Sequence, residues 1–303
     1  MKQKKRKKQD NDRNTCQPLQ QNMGQSMSQN MGHNMSQIMS QDMSQNMRDN
    51  IRHDMGQNMS RTIKEIASHT IDLIYPPACP ICGRPAPFEE GIRLPVCPEC
   101  EKDLSKTGSN CCMKCGKPLQ DETAEYCYDC SKTHHLYTQG AAAFAYTDGI
   151  KQSIYRYKYK NRREYAAYYA KQIYENCGGR MSTWKADVLI PVPLHSSKLW
   201  KRGFNQAELI AEHLSKLTGI PVDGEVLVRS RKTIPMKNLD DQERIENLKN
   251  AFHIKDNVVE YNKVILVDDI YTTGTTIDEC TKVLMDRGAS NVYFVCLCIG
   301  RGF

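Results

Sequence analysis

Two adjacent carboxylates, Asp268 and Asp269, precede a run of hydroxyls around one glycine, Thr272-Thr273-Gly274-Thr275-Thr276. Neighbouring carboxylates can accept hydrogen bonds from a sugar diol or approach Mg²⁺ through water. Threonine hydroxyls and the free N–H groups of a helix start can receive a phosphate, and Gly274 lets the backbone come close to it. Together they suit a sugar phosphate. A basic group, Lys198, Lys201 and Arg202, supplies charge that would suit a pyrophosphate. The third chemical set is made of thiols. Cys79-Pro-Ile-Cys82 and Cys97-Pro-Glu-Cys100 are separated by fourteen residues, Cys112-Met-Lys-Cys115 and Cys127-Tyr-Asp-Cys130 by eleven. Four thiolates close a tetrahedral Zn²⁺ shell, and one Cys-x-x-Cys turn supplies two of them.

These groups need elements to hold them. Val264-Ile265-Leu266-Val267 reads as a buried parallel strand that ends on the two acids. A helix from about Ile277 to Arg287 follows the threonine loop. Ligands of open α/β sheets bind just outside the carboxyl ends of strands. The bland alternative is a solvated acidic turn; the coincidence of strand, acids, glycine and hydroxyls favours a ligand loop. Residues 187–193 form a second buried strand with a proline-braced end. Its loop, 194–206, carries the basic group and leads into a helix at 207–217. Further strands are predicted at 140–146, 252–254 and 291–299, and helices at 148–160, 165–177 and 241–249. The fold class is therefore α/β with a doubly wound parallel sheet.

The chain has 303 residues, enough for about two domains, and a formal net charge of +7. Lys2, Lys4, Lys5, Arg6, Lys7 and Lys8 supply most of that excess, so the total does not argue for a general polyanion-binding surface. No run of eighteen apolar residues would span a membrane, and no apolar segment follows the basic start as in a secretory signal. Eight of fourteen cysteines lie in Cys-x-x-Cys pairs, which favours metal in a reducing cytoplasm.

Three regions follow from the patterns: a tail at 1–60, a helix plus cysteine module at 61–135, and the α/β domain at 136–303. In the tail, Met23, Met27, Met31, Met35, Met39, Met43, Met47, Ile51, Met55, Met59 and then Ile63 recur every four residues among polar ones. A helix turns in roughly 3.6 residues, so this stripe drifts roughly 40° per step and makes no fixed apolar face. The segment reads as low-complexity and disordered. A Met-rich helix that wraps a partner is the second reading, and a repeat upstream of a start at Met55 or Met59 the third. Ile63, Ile66, Ala67, Thr70, Ile71 and Ile74 predict an amphipathic helix that Pro76-Pro77 ends.

For the cysteines, sequential pairing is expected: Cys79, Cys82, Cys97 and Cys100 at one zinc, Cys112, Cys115, Cys127 and Cys130 at another. A cross-braced pairing and a single occupied site are the other arrangements. Free thiols, a redox dithiol and an iron–sulfur cluster are the competing chemistries. A closed four-thiolate shell has no vacant position, so zinc there is structural. Cys111 is taken as a bystander; His134 and His135, just beyond the last knuckle, either support the metal ligands or, the preferred reading, are loop residues. Tyr155, Tyr157 and Tyr159 alternate with Arg156, Lys158 and Lys160. Such a stripe either binds phosphates and stacked bases or packs its rings and lets its lysines reach solvent.

The strand with Asp268-Asp269 and Thr272–Thr276 resembles the PRPP motif of type I phosphoribosyltransferases, where PRPP is 5-phosphoribosyl 1-pyrophosphate. The resemblance implies that the two acids hold the ribose hydroxyls and that Thr272, Thr273, Gly274, Thr275 and Thr276 cradle the 5-phosphate. Pro191-Val192-Pro193-Leu194 with Arg202-Gly203-Phe204-Asn205-Gln206, behind a cysteine-rich module, resembles the ComF family of competence proteins over roughly residues 70–300. That likeness implies a zinc module on a phosphoribosyltransferase domain, acting on incoming single-stranded DNA in transformation, with a DNA-uptake helicase as a further partner. Arg229, with Arg231 and Lys232, is placed as a mobile-loop cation by position. In a transfer reaction Asp268, Asp269 and Arg202 would be the catalytic set, Lys198, Arg202 and Arg229 would stabilise the leaving phosphates, and Mg²⁺ would bridge them. The alternative function is an active phosphoribosyltransferase with an unidentified acceptor. Purine-salvage members commonly carry an acid where Thr272 stands, so PRPP binding is better supported than base salvage.

Overall fold

A computed structural model describes residues 77–230, 251–255 and 261–300. The readings for the tail, the helix at 61–75, Arg231, Lys232 and the helix at 241–249 lie outside them. Residues Pro76–Phe303 form one compact unit. In chain order it contains β1 (Phe88–Glu89), β2 (Ile92–Arg93), α1 (Pro98–Lys102), α2 (Tyr128–Lys132), β3 (Gln139–Ala145), α3 (Asp148–Tyr159) and α4 (Tyr165–Trp184). There follow β4 (Val188–Pro191), α5 (Ser196–Arg202), α6 (Gln206–Thr218), β5 (Leu227–Arg229), β6 (Phe252–Ile254), β7 (Lys263–Tyr271), α7 (Thr275–Met285) and β8 (Asn291–Ile299).

The central sheet has four parallel strands in the order β3-β8-β7-β4. Side chains alternate across it because the strand period is two. Ile265, Val267, Val295 and Leu297 face one layer with Ile154, Tyr157, Ile173 and Ile210 from α3, α4 and α6. Val264, Leu266, Val292 and Phe294 face the other, with Ile277 and Leu284 of α7 and Phe252 of β6. Both faces are covered, which is why β7 and β8 read as near-continuous apolar runs. Full burial of each such aliphatic side chain is worth about 1.5–3 kcal/mol.

The two cysteine sets fall on opposite faces. Cys79, Cys97 and Cys100 join the first layer; Cys112, Cys115 and Cys127 join the second. The cysteine module is therefore not appended to the sheet but completes its core on both sides.

Several elements depart from expectation. Strand β7 runs past the two acids to Tyr271, because it stays paired with β8. Arg229, expected in a mobile loop, ends strand β5 against Phe252 of β6. Helix α4 runs on through Gly178-Gly179 to Trp184, beyond the predicted end at Cys177. Ile173, Cys177, Met181 and Trp184 continue one buried stripe, and that burial outweighs roughly 1 kcal/mol per glycine. Helix α5 stands where the sequence predicts loop. It is short, buries none of its residues and so has no apolar period, but His195 caps its start and Gly203, at φ 76°, its end. Helix α7 begins at Thr275, two residues before the expected start, with Gly274 as its N-cap. No helix among the described residues is long and apolar enough to cross a membrane.

Candidate functional site

β4 and β7 end at different heights. Pro191 pairs with Val267, after which β4 turns away, while β7 continues through Asp268 and Asp269 to Tyr271 against β8. The step opens a pocket of about 130 Å³. Its charged lining is Asp268 and Asp269 from β7, Lys158 from α3, Lys198 and Arg202 from α5, and Arg229 from the end of β5. Asn205, Gln206 and Thr276 add polar groups. Among the described residues, four cations and two carboxylates line this one small volume.

The acid pair is held closely. Asp269 is buried, and its two carboxylate oxygens lie 2.9 and 2.7 Å from Lys158 Nζ. The Asp269 N–H donates to Asp268 Oδ1 at 2.8 Å. Burial and the neighbouring Asp269 charge raise the Asp268 pKa to about 7. Burial opposes the charge on Lys158, but the two acids outweigh it and hold its pKa above the ordinary lysine value. Lys198 is lowered to about 8, first by burial and then by Arg229, Arg202 and Lys158. Burial also lowers Arg229, whose guanidinium sits 5.1 Å from the Phe252 ring centroid.

Arg202 links the pocket to the outside. It donates to Gln206 Oε1 at 2.7 Å and lies over the Tyr159 ring at 5.1 Å. Tyr159 is half exposed and pairs with Tyr155, with ring centroids 5.1 Å apart. Trp200, on the same short helix as Arg202, is 89% exposed. The basic and aromatic stripe of α3 and α4 is thus divided: Tyr157, Tyr165, Tyr168 and Tyr169 pack in the core, while Tyr155 and Tyr159 face outward.

The phosphate-loop candidates follow directly. Gly274 has φ 85°, a left-handed conformation that glycine adopts without strain. Thr273 and Thr275 hydroxyls are 3.0 Å apart, and Thr276 reaches the pocket lining. Thr272 is exposed at the loop's start. Thus Asp268, Asp269, Lys198, Arg202, Arg229 and Thr276 are brought together. Lys201 is exposed and lies outside the lining.

Lys158 and His135 were not singled out as site residues. Lys158 carried a signal: with Ile150 and Ile154 it recurs every four residues, so it points to the buried side of α3. His135 gave none. It lies in a loop, as expected, but its side chain is buried and its Nδ1 lies 2.7 Å from Asp278 Oδ2.

The cysteines form two four-sulfur clusters, Cys79, Cys82, Cys97, Cys100 and Cys112, Cys115, Cys127, Cys130, with all sulfurs in each within 4.8 Å of one another. Cys82 and Cys97 sulfurs are 3.8 Å apart, Cys115 and Cys127 sulfurs 3.7 Å. Four thiolates at about 2.3 Å from one tetrahedral zinc stand roughly 3.8 Å apart, so the donor sets fit zinc. The two first knuckles are alike: Gly83 donates to Cys79 O and Gly116 to Cys112 O, with φ near 80° in both. Cys97 and Cys127 are the N-caps of α1 and α2. Cys111 stands outside both clusters, its sulfur 2.5 Å from Arg180 Nη2.

Two four-thiolate clusters on a parallel sheet whose acid-bearing strand leads into a threonine loop define a zinc-ribbon phosphoribosyltransferase-type protein. Family models agree: a double zinc ribbon domain matches residues 70–131 and a phosphoribosyl transferase domain residues 166–302. The chain belongs to the ComF family of competence proteins. It is 30% identical over 202 residues to Competence protein F of Haemophilus influenzae, covering 65% of this chain and 87% of that one. DNA utilization protein YhgH of Salmonella typhimurium is 30% identical over 229 residues, 75% and 98% of the two chains. Competence protein ComFC of Bacillus subtilis is 28% identical over 199 residues, 64% and 79%.

Proposed function

We propose that the pocket binds PRPP with Mg²⁺ and that the protein handles incoming single-stranded DNA during natural transformation. The observation that carries the first part is the facing of Asp268 and Asp269 by Lys158, Lys198, Arg202 and Arg229 beside Thr276 of the threonine loop. The diol of a ribose suits the acids, the 5-phosphate suits the loop at the start of α7, and the pyrophosphate suits the α5 cations. Mg²⁺ bridging pyrophosphate oxygens would relieve the charge that PRPP brings near Asp268. The names of the relatives, competence and DNA utilization, favour DNA handling over base salvage. Tyr155, Tyr159 and Trp200, exposed near Arg202, offer rings on which bases can stack. A helicase of the uptake machinery and a cytoplasmic place of action belong to the same reading.

Calorimetric titration of Mg²⁺–PRPP into the zinc-loaded full chain tests it, with Asp268→Asn as control. Saturable binding lost in the variant supports the pocket. Heat that the variant retains, or none from well-folded protein, refutes it.

A further inference from the structure

The second cysteine ribbon does more than close the core. The linker that leaves it, residues 133–138, lies against the rear of the threonine loop. Nδ1 of His135 meets one oxygen of Asp278 at 2.7 Å, and Leu136 N–H donates to the other at 2.8 Å. Asp278 stands in the first turn of α7, where its own N–H bonds the Gly274 carbonyl at 2.8 Å. A carboxylate there is favoured by the helix N-terminus and accepts both bonds. Two residues on, Tyr137 and Tyr271 join hydroxyls at 2.6 Å, and Tyr137 stacks on His135 with ring centroids 5.0 Å apart.

The loop has no slack against this support. A Cβ at Gly274 would lie 2.5 Å from the Tyr271 hydroxyl and 2.9 Å from His135 Cε1. The ribbon presses in from behind: Lys117 lies 5.9 Å from the Tyr271 ring, Lys114 lies 5.2 Å from the Tyr137 ring, and Gly140 N–H donates to Lys114 O at 2.8 Å. Lys117 is itself buried and paired with Asp129 in the ribbon.

We infer that the second ribbon is the rear support of the phosphate loop and that His135 is its positioning residue, acting through Asp278 on the start of α7. The inference deepens the sugar-phosphate reading of the pocket and rests on it for the ligand. Asp278 can only accept, so His135 donates from Nδ1 and fixes the first turn of α7 and with it the Gly274 cradle. The pyrophosphate side of the pocket, carried by α5, has no part in this support.

Two half-ligands separate positioning from general damage. In the full chain, His135→Ala should weaken ribose 5-phosphate about tenfold, the size of one charge-assisted hydrogen bond, and leave inorganic pyrophosphate unchanged. His135→Asn, whose amide can still donate, should recover part of the loss. Asp278→Ala, which leaves the ribbon intact, should reproduce the His135→Ala pattern. Hydrogen exchange of the ligand-free protein provides a second arm. A peptide spanning 271–279 should exchange several-fold faster in His135→Ala, with a peptide spanning 188–199 unchanged. Equal weakening of both half-ligands, or unaltered exchange at 271–279, overturns the inference. Failure of the wild-type chain to bind either half-ligand would refute the sugar-phosphate reading, and the exchange arm would still decide whether His135 holds the loop.

Discussion

Lys158 Nζ bridges both oxygens of Asp269, at 2.7 and 2.9 Å, across 111 residues of sequence. The pair joins α3, which rests on the first cysteine ribbon through Ser153 and Arg156, to the acid-bearing end of β7. Lys158→Met should leave a buried carboxylate without its partner and cost about 3 kcal/mol, measured by urea denaturation. The double variant Lys158→Met/Asp269→Asn should recover much of that loss. An additive double-mutant cycle would show that the pair is not coupled.

Affinity for Mg²⁺–PRPP should follow a bell in pH. Asp268 must be ionised to serve the sugar, and its pKa is raised to about 7. Lys198 must be protonated to serve a phosphate, and its pKa is lowered to about 8. Affinity should therefore fall on the acid side below about 7 and on the alkaline side above about 8. Titrations at a series of pH values decide it.

The same shifts predict the stability profile of the ligand-free protein. Folded Asp268 holds its proton more tightly than the unfolded residue, so its contribution declines as pH rises from about 4 to about 7. Folded Lys198 binds its proton less tightly, so its contribution grows as pH rises from about 8 towards the ordinary lysine value. Comparing wild type with Asp268→Asn across the first window isolates the carboxylate; parallel curves would refute the assignment.

Removing zinc should expose residues 79–130 to protease and loosen the sheet domain as well. Metal binding supplies most of the folding energy of such ribbons, and here their cysteines belong to both core layers. Limited proteolysis with and without chelator checks this. Digestion confined to the ribbons would mean that the sheet holds without them.

Single-stranded DNA should bind with a strong salt dependence, and Trp200→Ala or Tyr159→Ala should each weaken it on the order of tenfold per stacked base lost. Asp268→Asn should leave that affinity in place, because the acids lie inside the pocket and the rings outside it. Fluorescence anisotropy at two salt concentrations reads both effects.

What could be read in advance was local. Val264–Val267 announced a buried strand, and Asp268, Asp269 and Gly274 announced the ligand loop, because strand period, helix start and glycine conformation depend on near neighbours. Knuckle spacing likewise announced the paired cysteines. The seven residues of α5 carry no helical signal, because a helix that buries nothing has no apolar rhythm.

The amino-acid sequence by itself determined the chemistry available: an acid pair, a hydroxyl loop, scattered cations and two sets of four thiols. Only the tertiary structure decided which groups meet. Lys158 opposes Asp269 because α3 crosses the end of β7, and His135 grips Asp278 from 143 residues away. Such pairings depend on the packing of distant elements, and side chains brought together by packing leave no spacing to be read.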